Sequence, residues 1–217
     1  MPAARPLTIA VPKGRVLRAL VPLLAKAGLE TEALTRDDRT LVRDAGALRF
    51  LLLKPADVPT YVEYGAADLG VCGTDVLGER ETDLYEPLDL RIGACRMVVA
   101  VPEGSLLPRD AFRVATKYPR TAMAFFARKG AVVSVIAVEG SVELAPLAGL
   151  ADAIVDLVET GETLAQNGLV VVEEVTRVSS VLVANRASFK LRRLEVTPLL
   201  AALKGAVGPR EARRAGP

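Results

Sequence analysis

The sequence predicts an α/β protein of two lobes with an intervening cleft. Predicted strands alternate with predicted helices, which is typical of βαβ units with largely parallel sheets. Half of the 217 residues are hydrophobic, enough to bury a sizeable core. A second α/β series is inserted before the C-terminal helices. We therefore expect a first lobe of residues 1–92 plus 185–217 and a second lobe of residues 93–184.

The elements of the first lobe follow from apolar runs and helical spacing. Strands are predicted at 7–11, 47–53 and 67–73, and helices at 16–28, 56–65, 74–79 and 188–205. Gly28 is predicted to cap the first of these helices, and Asp57 the second. Pro198 is expected to kink the last helix or to start another.

The second lobe repeats the alternation. Strands are predicted at 92–102, 112–119, 131–140, 151–158 and 169–185, the last being one strand or two, and helical segments at 120–130, 141–149 and after residue 160. In proteins of this class, ligands bind beyond the carboxyl ends of the strands.

Composition excludes several kinds of chemistry. The chain has no histidine, so Ser-His-Asp, Cys-His and His-zinc sites are excluded. Cys72 and Cys95 stand far apart in the sequence, which indicates buried thiols in a reducing compartment. No apolar run reaches the about 18–20 residues of a membrane span, and the N-terminal stretch does not resemble a signal peptide, so a cytoplasmic location is expected.

The net charge of +2 owes much to the C-terminal segment KGAVGPREARRAGP. We expect this segment to be a solvated end. A nucleic-acid partner is not expected, because no aromatic residues interleave with the basic ones.

The stretch ADAIVDLVETGETL, residues 151–164, carries the main candidate site. A strand with Asp152 and Asp156 leads into Thr160-Gly161 and then into a helix. Gly161 allows backbone amides to approach a ligand closely, and the start of a helix attracts anions. Carboxylates before such a turn could bind sugar hydroxyls, so the pattern indicates a site for a phosphorylated sugar. The alternative is an ordinary strand-to-helix turn capped by Thr163.

Glu159 and Glu162 flank this turn, and their charges would repel a phosphate. They are expected to point away, to bind Mg²⁺ or to contact hydroxyls. No dedicated metal site in the protein is expected.

Two other strand-to-helix turns carry polar residues. VPKGR places Lys13, Gly14 and Arg15 at a second anion-binding turn, for which the alternative is a solvated basic turn. Gly73-Thr74-Asp75 forms the third turn, where Asp75 could simply cap a helix.

Together these stretches resemble the ATP phosphoribosyltransferase family. The run EGSVELAPLAGLADAIVDLVETGETLAQNGL, residues 139–169, resembles the family signature. IAVPKGR, KPADVPTYVEYGAADLGVCGTDVL and RVATKYP support it, and the likeness covers residues 7 to 204. The resemblance implies transfer of the phosphoribosyl group of 5-phosphoribosyl-1-pyrophosphate (PRPP) to N1 of ATP, with Mg²⁺ accompanying the substrates.

The resemblance also implies roles for individual residues. It implies catalytic roles for Lys13, Arg15 and Glu143, PRPP contacts for Asp152, Asp156, Glu159, Thr160, Gly161, Glu162 and Thr163, and ATP contacts for Gly14, Gly73, Thr74 and Asp75.

The family likeness further implies lobes of periplasmic-binding-protein type. The chain ends too soon after Lys204 for the regulatory domain of the family's long form, so it resembles the short form. That form implies a homodimer within a hetero-oligomer that includes a regulatory subunit similar to histidyl-tRNA synthetase. The alternatives are a non-catalytic two-lobed binding protein and a phosphoribosyltransferase for another base.

Overall fold

A computed structural model describes residues 5–108 and 110–209. Its described residues form two compact units. The first comprises the described residues up to Gly73, Thr82–Gly93 and those from Ser180 onward; the second comprises Thr74–Glu81 and Ala94–Ser179. The division into functional domains at residues 92 and 185 stays a prediction. The basic tail lies outside the described residues from residue 210 onward.

The strands and helices of the described residues alternate along the chain, as predicted. The strands are β1 (Leu7–Pro12), β2 (Val42–Ala45), β3 (Leu48–Leu53), β4 (Leu69–Gly73), β5 (Leu84–Pro102), β6 (Phe112–Thr116), β7 (Val133–Ala137), β8 (Ala153–Val158) and β9 (Leu169–Asn185). The helices are α1 (Arg15–Lys26), α2 (Glu32–Thr35), α3 (Val58–Glu63), α4 (Thr74–Gly78), α5 (Pro119–Arg128), α6 (Leu144–Leu147), α7 (Glu162–Gln166), α8 (Arg186–Leu191) and α9 (Arg193–Val207).

The sheet of the first unit has the strand order β2-β3-β1-β4-β9. β1 pairs in parallel with β3 and β4, whereas β2 pairs antiparallel with β3 and β4 pairs antiparallel with β9. Its core contains Phe50, Leu69 and Leu182 from the strands and Leu20 and Leu203 from α1 and α9. The parallel strands β1 and β3 therefore end at one edge, where ligand-binding loops are expected.

In the second unit the strand order is β5-β8-β6-β7, with β6 parallel to both β7 and β8. β8 runs antiparallel to β5. Because successive strand residues face opposite sides, Met97 packs in the core beneath α5 and Val98 in the core that includes residues of α6 and α7. Both cysteines are buried, as predicted.

Four elements differ from the sequence prediction. The short helix α2 was not predicted. β2 was not predicted because its residues alternate between exposed and buried with Arg43, not an apolar residue, facing inward. β5 begins at Leu84 and not at residue 92, since Pro87 and nearby charges obscured its first half. The predicted C-terminal helix divides at Arg192, and Pro198 lies inside α9.

None of the helices in the described part of the chain is long and apolar enough to cross a membrane.

Candidate active site

The turn after β8 has the geometry that the sequence predicted. Gly161 adopts a left-handed conformation with φ 87° and forms the N-cap of α7. Its carbonyl accepts a hydrogen bond from the Ala165 N–H at 3.1 Å, so the helix begins directly at the turn. Thr160 and Thr163 are exposed on either side. The Glu162 N–H donates a long hydrogen bond to Thr160 Oγ1, at 3.4 Å. Since the first amides of a helix lack intrahelical acceptors, the turn offers further N–H groups and hydroxyls suited to an anion.

The two glutamates beside this turn are exposed. Glu162 Oε1 accepts a hydrogen bond from Gln166 Nε2 at 3.2 Å, one helical turn further along α7. This carboxylate is thus held against the body of the helix. That geometry agrees with the expectation that Glu162 points away from a bound phosphate.

Asp156 lies on β8 shortly before the turn and is half-buried. The Leu157 N–H donates to its Oδ1 at 2.8 Å. Burial raises the pKa of Asp156; the Leu157 N–H opposes this, the negative charge of Glu143 raises the pKa further and Lys117 lowers it. Glu143, the N-cap of α6, and Lys117, which follows β6, therefore both lie within electrostatic reach of Asp156.

Asp152 directly precedes β8, at the opposite end of the strand from the Gly161 turn. Its carboxylate accepts hydrogen bonds from the Arg113 backbone N–H at 2.8 Å and from Arg113 Nη2 at 3.2 Å. These bonds, the backbone one first, lower the pKa of Asp152. A six-residue strand spans roughly 20 Å, which separates Asp152 from the Gly161 turn. The structure therefore does not bring Asp152 to the other residues assigned to PRPP, and gives it a partner on β6.

In the first unit, Lys13 and Gly14 connect β1 to α1. Gly14 has φ 84°, and the Lys13 N–H donates to the Leu53 carbonyl at 2.9 Å. Lys54 directly follows Leu53, so the ends of β1 and β3 carry cationic side chains at one edge of the sheet. Lys13 and Arg15 are exposed, and α1 begins at Arg15.

Thr74 and Asp75 form the first turn of α4 and belong to the second unit, whereas the sequence analysis expected them in the first lobe. Gly73, the last residue of β4, belongs to the first unit. Thr74 Oγ1 accepts a hydrogen bond from the Ser179 N–H at 3.3 Å, and Asp75 Oδ2 accepts one from the Tyr118 hydroxyl at 3.3 Å. These contacts explain why α4 clusters with the second unit.

Thr74 and Asp75 also line a pocket of about 460 Å³ within the second unit. Ala124 and Val175 supply apolar surface, and cationic groups come from α5 and β9. The cationic lining residues are Arg120, Arg128 and Arg177. Such a combination suits a ligand with a flat apolar part and an anionic part.

Sequence reasoning did not assign a role to Thr116, Lys117 or Tyr118, although RVATKYP contains all three. The sequence signal that was available is their position near the carboxyl end of the strand predicted at 112–119, where ligands bind in α/β proteins. The structure adds that β6 is parallel to β8, so its carboxyl end lies beside that of β8.

Among the residues that the structure describes, no group of three or more Cys, Asp or Glu side chains is arranged to hold a metal ion.

Comparison with known proteins gives a consistent result. The family model described as ATP phosphoribosyltransferase (HisG) matches residues 54–205. A relative named ATP phosphoribosyltransferase from Sorangium cellulosum is 60% identical over 204 residues, covering 93% of this chain and 96% of the relative. ATP phosphoribosyltransferase 2 of Geobacter sulfurreducens is 48% identical over 205 residues, covering 91% of this chain and 97% of the relative.

Solved structures agree with the fold. The ATP phosphoribosyl transferase (HisG:HisZ) complex from Thermotoga maritima matches with a TM-score of 0.80 and 37% identity, covering 93% of this chain and 98% of that chain. The periplasmic aliphatic sulphonate binding protein SsuA from Escherichia coli matches with a TM-score of 0.62 and 15% identity, covering 93% of this chain and 72% of that chain. The second likeness concerns the fold alone, and the predicted fold of periplasmic-binding-protein type is confirmed.

Proposed function

The chain belongs to the ATP phosphoribosyltransferase family, and from this premise we propose how its residues serve the reaction. It is an ATP phosphoribosyltransferase, which transfers the phosphoribosyl group of PRPP to N1 of ATP and releases pyrophosphate in the first step of histidine biosynthesis. Family membership favours this enzyme over a non-catalytic binding protein.

The chemistry suits a chain without histidine. As N1 of ATP attacks C1 of the ribose, the bond to pyrophosphate breaks, so the sugar becomes cationic and the leaving group anionic. Such a transition state depends on positioning and electrostatic stabilisation. Carboxylates, cationic side chains and backbone amides can supply both.

The observation that carries the site assignment is the left-handed turn at Gly161. We assign the ribose 5-phosphate to the amides of residues 160–163, with the hydroxyls of Thr160 and Thr163 as further donors. Asp156, on the strand that leads into this turn, is the carboxylate assigned to the ribose hydroxyls. Asp152 is left out of this role because Arg113 already engages its carboxylate.

Glu143 is assigned to the neighbourhood of the reacting carbon. Its negative charge acts on Asp156, so the two carboxylates lie within electrostatic reach of each other. A pair of acidic groups can stabilise the positive charge that develops on the sugar.

The leaving pyrophosphate is assigned to Lys13 and Arg15, with the Gly14 amide close to it. Both side chains stand at the start of a 12-residue helix, where charge and dipole act in the same direction. Mg²⁺ bound to the substrates would neutralise part of their phosphate charge, and Lys13 and Arg15 would complement the remainder. ATP is assigned to Thr74 and Asp75, with Gly73 before them.

We further propose a partner subunit. The solved Thermotoga maritima relative is a HisG:HisZ complex, and this chain covers 98% of the chain that it matches there. By analogy, this chain works in a hetero-oligomer with a HisZ-like subunit. The family resemblance further implies a homodimer, a regulatory role for that subunit and a cytoplasmic location. Size-exclusion chromatography of the two chains mixed would test this, and separate elution at micromolar concentrations would contradict it.

The experiment that tests the assigned roles compares substitutions of two lysines, Lys13 in the turn before α1 and Lys26 at the end of α1. Lys13→Gln is expected to lower kcat/KM by about 10- to 100-fold, because it removes a charge that stabilises the leaving group. Lys26→Gln removes an equal charge from the exposed last turn of the same helix and is expected to leave kcat/KM unchanged. Equal effects of the two substitutions would contradict the assignment.

A further inference from the structure

A chain of hydrogen bonds crosses the second unit from β8 to α4. The Thr116 hydroxyl, fully buried, donates to the Val155 carbonyl of β8 at 2.6 Å. The same oxygen accepts from the Tyr118 N–H at 2.9 Å. The Tyr118 hydroxyl then donates to Asp75 Oδ2 at 3.3 Å. Four residues on three elements are therefore linked in series.

Tyr118 is well suited to hold a fixed position in this chain. Its side chain is only 8% exposed and packs in the core cluster that contains Met97, Phe125 and Phe126. Burial, and then the charge of Asp75, raise the pKa of the Tyr118 hydroxyl far above its ordinary value. The hydroxyl therefore remains a hydrogen-bond donor throughout the neutral pH range.

The acceptor of this bond lies on the wall of the pocket of about 460 Å³. Asp75 has two carboxylate oxygens, and Tyr118 engages Oδ2. A carboxylate fixed in this way keeps acceptor capacity for a donor from a ligand. Without the tyrosine hydroxyl, the Asp75 carboxylate could rotate, and fixing its orientation would cost free energy when a ligand binds.

We propose that Tyr118 is a positioning residue that holds Asp75 on the pocket wall, where Asp75 accepts a hydrogen bond from the adenosine part of ATP. The donor is the adenine amino group or a ribose hydroxyl. The apolar surface of Ala124 and Val175 contacts the base, and the arginines of the pocket face the phosphates. This inference rests on the proposed function, since it names the residue that prepares the nucleotide site.

Thr116 has a second part in the arrangement. It fixes the backbone of Tyr118 and binds the carbonyl of Val155, the residue before Asp156. The same hydroxyl therefore holds the backbone of Tyr118, whose side chain contacts Asp75, and the backbone of β8, which carries Asp156. Thr116→Val removes the hydroxyl at nearly constant volume, whereas Thr116→Ser keeps it.

The test is steady-state kinetics of the full chain with Tyr118→Phe, which removes one oxygen and keeps the ring. We expect the KM for ATP to rise about 3- to 10-fold, less than for a lost hydrogen bond to ATP itself, because the Tyr118 hydroxyl only orders the carboxylate that binds ATP. The KM for PRPP and kcat are expected to change less than twofold, and the unfolding midpoint is expected to stay nearly the same. Tyr64→Phe, on a tyrosine that is 84% exposed in the first unit, is the matched control and is expected to change nothing.

A double-mutant cycle separates positioning from a structural effect. If Tyr118 acts through Asp75, then Tyr118→Phe is expected to raise the KM for ATP little further in an Asp75→Asn background. Thr116→Ser is expected to retain, and Thr116→Val to lose, ATP affinity. An unchanged KM for ATP in Tyr118→Phe, equal rises in both KM values, or fully additive effects would overturn the proposal.

Calorimetric titration of ATP into the folded wild type and into Tyr118→Phe distinguishes a failure of the positioning role from a failure of the proposed function. Absence of turnover in the wild type would count against the function. Equal ATP dissociation constants in the two proteins would count against the positioning role alone.

Discussion

Asp68 is expected to be the most sensitive single residue for the stability of the first unit. It is fully buried, and its carboxylate accepts four hydrogen bonds. Oδ1 accepts from Arg5 Nη2 and the Ser188 hydroxyl, both at 2.7 Å. Oδ2 accepts from the Thr8 N–H at 2.9 Å and from Arg192 Nη1 at 2.6 Å. Asp68 thus joins β1 to the helices that return at the end of the chain.

Asp68→Asn replaces one acceptor oxygen with a donor. In the least costly arrangement the amide group takes the place of Oδ1, because the Ser188 hydroxyl can turn to accept and Arg5, 53% exposed, can turn to solvent. Arg192, only 16% exposed, then loses its buried counter-charge but keeps Glu195. Breaking a buried pair costs about 3–5 kcal/mol. Because Arg192 keeps its contact with Glu195, we expect the loss of unfolding free energy to lie at the lower end of this range, about 3 kcal/mol. That is a large part of a typical unfolding free energy of about 5–15 kcal/mol.

Urea unfolding followed by circular dichroism measures this change, provided that the slope of the transition is unchanged. The matched control is Asp44→Asn, which neutralises a carboxylate paired with Arg49 on the exposed side of the same unit. That substitution is expected to leave the midpoint unchanged, since exposed ion pairs contribute little. A loss below about 1 kcal/mol in Asp68→Asn would refute the reasoning from buried hydrogen bonds.

Three further outcomes are expected. Gly161→Val is expected to raise the KM for PRPP at least about 10-fold, because valine is strained at φ 87° and alters the phosphate turn; Gly130→Val, strained at φ 70° after α5, is expected to lower stability without changing that KM. Asp156→Asn is expected to lower kcat/KM about 10- to 100-fold and to raise the unfolding free energy at pH 7. Because the folded pKa of Asp156 is raised, its stability contribution is lost as pH rises through that pKa, so the gain is expected to vanish below about pH 4, near the ordinary value of 3.8. Asp152→Asn is expected to leave the KM for PRPP within twofold and to lower the unfolding midpoint. If Asp152→Asn and Asp156→Asn instead changed the kinetic constants equally, both carboxylates would have to be assigned to the ribose hydroxyls.

The sequence was sufficient for the architecture and for the central turn. Alternation of strands and helices predicted the α/β class, and Thr160-Gly161 after an apolar strand predicted the turn into α7, where the structure shows Gly161 in a left-handed conformation. These features are local, because a strand pattern and a glycine turn are encoded within a few residues.

The two aspartates of β8 show where local reasoning ends. Asp152 and Asp156 look equivalent in the sequence, four residues apart. What separates the two carboxylates is their surroundings in the fold. Arg113 on β6 donates hydrogen bonds to Asp152, whereas the charges of Glu143 and Lys117 act on Asp156. Pairings between distant segments cannot be deduced from spacing along the chain.

The contact between Tyr118 and Asp75 has the same origin. The two residues are 43 positions apart and meet only after α4 packs in the second unit. The sequence marked both stretches as candidates, but it contained no signal that a tyrosine on one would donate to a carboxylate on the other.

Product analysis tests the central claim most directly. The purified chain is incubated with ATP, PRPP and Mg²⁺, with pyrophosphatase present, both alone and with a purified HisZ-like subunit, and the nucleotides are identified by mass spectrometry. The account predicts N1-(5-phosphoribosyl)-ATP, formed only when both substrates are present and reduced in Gly161→Val. Absence of this product in both mixtures, from chain that is folded by circular dichroism, would contradict it.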